Sequence, residues 1–574
     1  MRRYPSIDFL RGTAIFLMLC LHVVMTSLDF GLVDQVFDLP LINLVALLVL
    51  PFLGGLAGFF LLVSAIGNQV SMQRFLEKGR PASALAVRQV LGGVLLLVFA
   101  VLTEALLGYH GTLGEAIRLH SDPWRIATWR GYHMETIHTI AWCVILNGLV
   151  QAFLSRGGRW KDRDGMVKKY AVLAALVVVA TLPVWVAVEA LVPGYPYATY
   201  GDLGLVASDH WAHDLRVQYP VVGVSTPWEW VYKFFLAPLA GHPEPIFPYL
   251  AVSFVGSIIG VRLSQPPETI DRKFPRKFMF AGLGMFLAGF AGTVGVLVGF
   301  LTTDVDAAIG LYRNLWDHRG FYPAAGPLGW LFQFLLLNGV AICMAMLVVR
   351  LVEFRGKAKR FGERSLFIRR YGFVAFSVYN YQFLYYVPHL VLTVALGMQP
   401  YAGLTWSGVG VVMVTSLLLF ELALRLWQKA RFAGGFEYSI ATLANLLIPG
   451  RRVEGDEKPK WWKAGLLDVD GALLNAEWID VVPPEGVDHA NAEDSRLSWS
   501  LAKLGATCFV PLVGLAFAPV AYLAISMAKS SEGAEGANQF NARARKLALV
   551  ELVVAAAWLV ISLTFTASDL GLAL

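Results

Sequence analysis

Charge is what this chain has least of. Asp, Glu, Lys and Arg make up 15% of its 574 residues, whereas 57% are hydrophobic. A soluble chain of this length carries far more charge, so a soluble globular enzyme is excluded. Cysteine is scarce too. Cys20, Cys143, Cys343 and Cys508 all fall in hydrophobic segments, without metal-ligand spacing and badly placed to bridge loops. Neither a zinc site nor a disulfide framework is expected, and small buried core residues are the plain reading. The first apolar run lacks a small-residue cleavage site and is interrupted by Asp8 and Arg11. It is therefore expected to be retained as a helix. No internal repeat stands out. The net charge of +6 does not point to nucleic acid, because Lys and Arg gather in short loops where membrane topology places them.

What the chain does have is a series of apolar runs of about 20 residues, each long enough to cross a bilayer. They fall at 7–27, 45–70, 82–108, 134–154, 170–192, 245–263, 278–301, 328–351, 370–396 and 405–427. Two more, at 499–528 and 546–568, follow a polar stretch. The expected fold is all-α: a polytopic membrane protein with a ten-helix bundle over 1–450, a cytoplasmic polar linker or small subdomain over 451–498, and a two-helix transmembrane hairpin over 499–574. Loops after even-numbered segments are basic (Arg74, Lys78 and Arg80; Arg156, Arg159, Lys161, Lys168 and Lys169; Arg272, Lys273, Arg276 and Lys277; Arg355, Lys357, Lys359 and Arg360), whereas the loop after the first carries Asp29, Asp34 and Asp38. The positive-inside rule then places both termini in the cytoplasm of a plasma (inner) membrane protein.

Two outer loops, 109–133 and 193–244, are long and rich in Trp, Tyr and Pro. They suit a lid or acceptor-binding surface, and equally an interfacial aromatic belt. Segment 228–240 is too short to span and is expected to be re-entrant or interfacial. Gly256-x-x-x-Gly260 and Gly295-x-x-x-Gly299 are expected to mark close helix packing.

The first segment carries the strongest functional signal. Arg11 and His22 are eleven residues apart, which on an α-helix is about 1100°, some 20° past three turns. They share one stripe, roughly 16 Å apart along the axis, with Asp8 one turn before Arg11. Lipid penalises all three groups, so they face the protein interior or a wet cavity. Glu104, His138 and His389 lie at similar outer depth, with Asn380 and Gln382 deeper in the ninth segment. A histidine beside a carboxylate makes a general base with its orienting partner. Near the inner side, Arg88 and Arg425 join Arg11 as cations for a phosphate-bearing ligand. Asp8 and Arg11 also fit a helix-start salt bridge, and Glu104 and His389 fit structural roles near the interface.

Ser6-Ile7-Asp8-Phe9-Leu10-Arg11-Gly12 and the apolar stretch ending in His22 resemble the opening helix of the transmembrane acyltransferase superfamily. That group takes in heparan-α-glucosaminide N-acetyltransferase and bacterial envelope O-acyltransferases. FFLLVSAIGN (59–68), METIHTIAWCVILN (134–147) and GERSLFIRRYGFVAFSVYNYQ (362–382) are similar to its later helices, with Ala65 where the second helix usually has glycine. The resemblance implies transfer of an acyl group, with acetyl-CoA as co-substrate and no metal, from the cytoplasm to a sugar or glycan acceptor on the outer side. It implies His22 as general base or nucleophile, with Asp8, Glu104 and His138 as further catalytic candidates. Arg11 would orient the donor or pair with Asp8, and Arg88 and Arg425 would complete the donor-binding cations. Two rival readings stand: a transporter using the same charges as a path, and a non-catalytic relative docking protein partners through 451–574.

The expected orientation is checked by cysteine labelling from outside intact cells. Asp29→Cys should react with an impermeant maleimide and Lys161→Cys only after permeabilisation; the reverse pattern would invert the topology.

Overall fold

The computed structural model describes residues 2–29, 55–109, 111–119, 124, 127–132, 134–192, 220, 223–241, 244–304, 307–308, 311, 319–447, 465–482, 488–509, 514–530 and 538–569. Of the features expected above, Asp34, Asp38, the start of the second segment and most of the 193–244 loop lie outside these residues.

Among the described residues, nine helices are long and apolar enough to cross a membrane. The chain is an all-α integral membrane protein, as its composition requires. The spanning helices are α1 (Pro5–Ser27), α2 (Leu56–Glu77), α3 (Ala82–Leu102), α4 (Thr136–Ser155), α5 (Arg163–Leu191), α7 (Ile246–Leu263), α8 (Phe274–Leu301), α9 (Gly329–Val352) and α13 (Trp406–Lys429). Helix α6 (Pro227–Ala240) is the short segment of the outer loop and opens with a capping box, Thr226 accepting from the Glu229 amide and Glu229 from the Thr226 amide. In α1, Pro5 supplies a preset first turn and Asp8 an acid near the positive helix end.

Close approach of backbones sets the packing. A Cβ on Gly12 would run into the backbone of Ile368, and one on Gly372 would lie 2.6 Å from the Gly12 nitrogen. These two glycines let α1 cross α10 (Leu366–Phe373) in direct backbone contact. Gly256 sits on Ala65 and Gly260 on Gln69, so the first Gly-x-x-x-Gly does pack, and it makes α7 run parallel to α2. The Tyr4 hydroxyl donates to the Leu263 carbonyl, joining the start of α1 to the end of α7. Helices α1 and α2 are therefore antiparallel. The second Gly-x-x-x-Gly reading is corrected: Gly295 and Gly299 meet nothing within 4 Å, and it is Gly282 and Gly289 that pack α8 on α9. Spacing alone did not say which face of α8 turns inward.

The ninth expected segment, 370–396, is not one helix. It consists of α10, α11 (Ala375–Asn380), a 3-10 turn over Tyr381–Tyr385 and α12 (Tyr386–Ala395). Two local causes account for the breaks. Val374 leaves the helical region at φ −124°, ψ 47°, and the Phe376 and Ser377 amides donate to the Glu437 carboxylate of α14 (Phe436–Leu447), which caps α11 from outside. Pro388 then removes a helical donor at the start of α12.

At the end of the bundle where α1 starts, residues 465–482 fold against the helices. Arg2–Arg3 (β1) pair in parallel with Glu477–Trp478 (β2). Arg3 donates to the Ala472 carbonyl and Arg369 to that of Leu473, and the Ala358 amide donates to Asp480. Desolvation pushes the Asp480 carboxyl up, against the hydrogen bond from the Ala358 amide. The C-terminal part differs from the expected hairpin in holding three helices, α15 (Asp488–Gly505), α16 (Gly514–Ser530) and α17 (Asn538–Asp569), packed through Ala502, Ala521, Ala524, Ala528, Ala544 and Ala548.

Gly12→Val should force α1 off α10, with an overpacking cost of about 1–3 kcal/mol. A clear drop in the thermal unfolding midpoint in detergent is expected; an unchanged midpoint would show that the crossing tolerates a side chain.

Candidate active site

His22 is held at both ring nitrogens. Its Nδ1 lies 2.6 Å from Gln382 Oε1 and its Nε2 3.1 Å from the Tyr109 hydroxyl. An amide oxygen only accepts, so Nδ1 carries the proton and Nε2 presents its lone pair, accepting from Tyr109. Tyr109 also stacks on the imidazole at 4.9 Å between centroids. Each partner comes from an irregular element. Gln382 sits in the 3-10 turn of the broken ninth segment. Tyr109 follows a π-helical turn, Thr103–Leu107, that ends α3, and its carbonyl accepts from the Tyr386 hydroxyl. Single-turn π-helices are frequent at functional sites because they re-aim side chains.

The same π turn carries Glu104, which is fully buried and accepts from the Tyr379 hydroxyl at 2.7 Å. The Tyr379 ring meets Tyr109 edge-on at 5.9 Å. Glu135, the residue before α4, is within electrostatic range of His22, Glu104, Tyr109, Tyr379 and Glu244. Arg130 lies 3.5 Å from the Glu135 carboxylate and balances part of this charge. Burial, reinforced by Glu135, pushes the Glu244 carboxyl well above the usual range. The end of the bundle where α1 finishes is thus a chamber of one imidazole, three carboxylates, one guanidinium and several tyrosines.

The other expected residues separate. His138 is buried and lines a second pocket with Tyr132, Trp142 and Lys233, between α4 and α6. Burial lowers the Lys233 amine there. Asp8 pairs with Arg3 at 2.9 Å, not with Arg11. Arg11 makes no hydrogen bond or ion pair among the described residues; its guanidinium lies against Gly67, where a Cβ would be 2.9 Å from Nη2. Arg88 lies over the Phe75 ring at 5.4 Å. Arg425 is on an exposed face of α13 and bonded to Glu421, which also holds Arg370. His389 Nε2 donates to the Ala402 carbonyl at 3.0 Å and its ring packs against Tyr401, a structural tie.

Tyr109, Tyr379 and Glu135 were not singled out by the sequence, and Gln382 only as a polar group of the ninth segment. Glu135 had a signal, an acid directly before a membrane helix that also carries His138. Among the described residues no group of His, Cys, Asp and Glu is arranged to hold a metal ion.

Residues 3–114, which carry Arg11, His22, Glu104 and Tyr109, match the family model described as heparan-alpha-glucosaminide N-acetyltransferase, catalytic. The match supports the transmembrane acyltransferase family to which the first helix was found similar. No curated protein and no solved structure matches the chain.

Proposed function

We propose that the protein is a membrane acyltransferase that moves an acetyl group from cytoplasmic acetyl-CoA to a sugar or glycan acceptor on the outer side of the plasma (inner) membrane, with both termini cytoplasmic. The observation that carries this reading is His22: an imidazole whose Nε2 lone pair is set by Gln382, on the same helix stripe as Arg11.

In the general-base route, Nε2 takes the proton of an acceptor hydroxyl or amine as that atom attacks the thioester carbonyl. The C–S bond breaks, and the thiolate leaves with the proton returned by the imidazolium. In the nucleophilic route, Nε2 attacks the thioester carbonyl, the C–S bond breaks and the thiolate leaves; the acceptor then attacks the acyl-imidazole, the C–N bond breaks to restore the imidazole, and the acceptor's proton passes to the thiolate. Both routes need the tautomer that Gln382 imposes. The Tyr109 hydroxyl, on Nε2 in the resting state, is the group an acceptor hydroxyl displaces. Arg11 serves the donor, since its charge is committed to no ion pair, and Asp8 keeps Arg3 in place. Glu104, Glu135 and His138 face the acceptor's side, where carboxylates suit sugar hydroxyls.

The test is incubation of purified protein with radiolabelled acetyl-CoA, following label transfer and free thiol. His22→Ala should lower turnover at least about 100-fold, the usual weight of a positioned base. Gln382→Leu should lower kcat with little change in KM, because it disturbs the tautomer and not the donor's contacts. A His22→Ala protein that turns over like wild type would end this reading, and a wild type that binds no acetyl-CoA would favour the assembly-subunit alternative.

A further inference from the structure

The working nitrogen of His22 is covered by a side chain. The imidazole is only half-buried, so burial of the ring does not by itself keep water from its lone pair. What stands on Nε2 is the Tyr109 hydroxyl at 3.1 Å, carried by a residue that is 1% exposed. The phenol ring also lies along the imidazole, with 30° between the two planes. Part of the ring is open to its surroundings while the atom that would do the chemistry is closed.

Tyr109 is fixed on several sides. Its ring is met edge-on by Tyr379 at 5.9 Å and by Tyr385 at 6.3 Å. Its carbonyl accepts from the Tyr386 hydroxyl at 3.2 Å. A Cβ on Gly114 would lie 1.9 Å from that same carbonyl oxygen, so the short helix Thr112–Ile117 is laid directly against it. The Gly108 amide, one residue earlier, donates to the Thr103 carbonyl at 2.6 Å and closes the π turn. Gln382 already sets the tautomer from Nδ1. A second, rigid partner on the other nitrogen adds nothing to the tautomer; it occupies the lone pair.

An occupied lone pair discriminates between nucleophiles. Water at Nε2 would exchange one hydrogen bond for another of the same kind, and would have to displace a ring held on two edges. An acceptor hydroxyl or amine arrives as part of a larger molecule, whose remote contacts supply the free energy for that displacement.

We infer that Tyr109 is a specificity-determining residue: its hydroxyl keeps Nε2 closed to water, so that a bound acyl thioester is not hydrolysed before an acceptor arrives. The inference rests on the acyltransferase reading and deepens it. In the suppressed reaction, water's oxygen bonds to the acetyl carbon while Nε2 takes one of its protons. The C–S bond breaks and that proton passes to the departing thiolate. The acid formed then ionises, leaving acetate, a free thiol and a released proton. A tyrosine that only oriented the imidazole would have the opposite signature, since its loss would slow every reaction of His22, hydrolysis included.

Acceptor-free hydrolysis of acetyl-CoA by the purified full-length protein in detergent tests this, following free thiol and acetate beside acetyl-CoA binding by calorimetry. Tyr109→Phe removes one oxygen and keeps the ring contacts, so it should fold, with the thermal midpoint as the check. Its hydrolysis should rise about fivefold, the worth of the one hydrogen bond that water no longer has to displace. Tyr109→Leu, which also opens space beside the imidazole, should raise it further. Adding His22→Ala to Tyr109→Phe should abolish the gain, because the gain runs through Nε2. Hydrolysis at or below the wild-type rate in both Tyr109 variants, with acetyl-CoA still bound, would overturn the inference and leave the acyltransferase reading standing. A gain that survives His22→Ala would overturn it as well. A wild type that binds no acetyl-CoA would remove the acyltransferase reading and the inference with it.

Discussion

The contact between α1 and α10 at Gly12 and Gly372 fixes the register from which the chamber is built. With backbones this close, neither helix can slide without a carbonyl meeting a carbon. Six residues above Gly12 on α1 comes Met18, and ten above it His22; ten residues beyond Gly372 comes Gln382. The imidazole and its amide acceptor therefore meet because two glycines meet lower down. Phe16, packed edge-on against both Phe367 and Tyr371, holds the same pair of helices from the side.

Much of this was legible in the chain itself. The first eight apolar runs, and the tenth, correspond to helices long and apolar enough to span, because burial in lipid demands length and apolarity above all. The stripe of Arg11 and His22 was equally readable, since helical periodicity is local. The partners were harder. Gln382 reaches His22 only because the ninth segment is broken, and the break depends on Glu437, a carboxylate of a different helix that no local pattern connects to it. Tyr109 depends on one extra residue in a helical turn, which propensity does not encode. Asp8 looked like the natural partner of Arg11 at one turn's spacing, yet Arg3 takes it, because β pairing with Glu477–Trp478 draws Arg3 over the start of the helix.

The distribution of charge along the bundle is a second organising theme. Among the described residues, formal charges occur where α1 starts, around Arg3, Asp8 and Arg369, and in the chamber at the other end, around Glu104, Glu135 and Arg130. Between them the polar groups are amides and hydroxyls. Such groups can be buried at the bilayer centre for the cost of hydrogen bonds alone, whereas an ion there needs a partner or water.

The pairing of Arg2–Arg3 with Glu477–Trp478 also bears on biosynthesis. Arg2–Arg3 find their strand partner only after more than four hundred further residues, including the spanning helices, have been made. Until then Arg3 has Asp8 beside it as a local counter-charge. That face therefore closes only after the spanning helices are made, and a chain truncated before residue 477 would contain α1–α14 but leave the start of α1 without its strand.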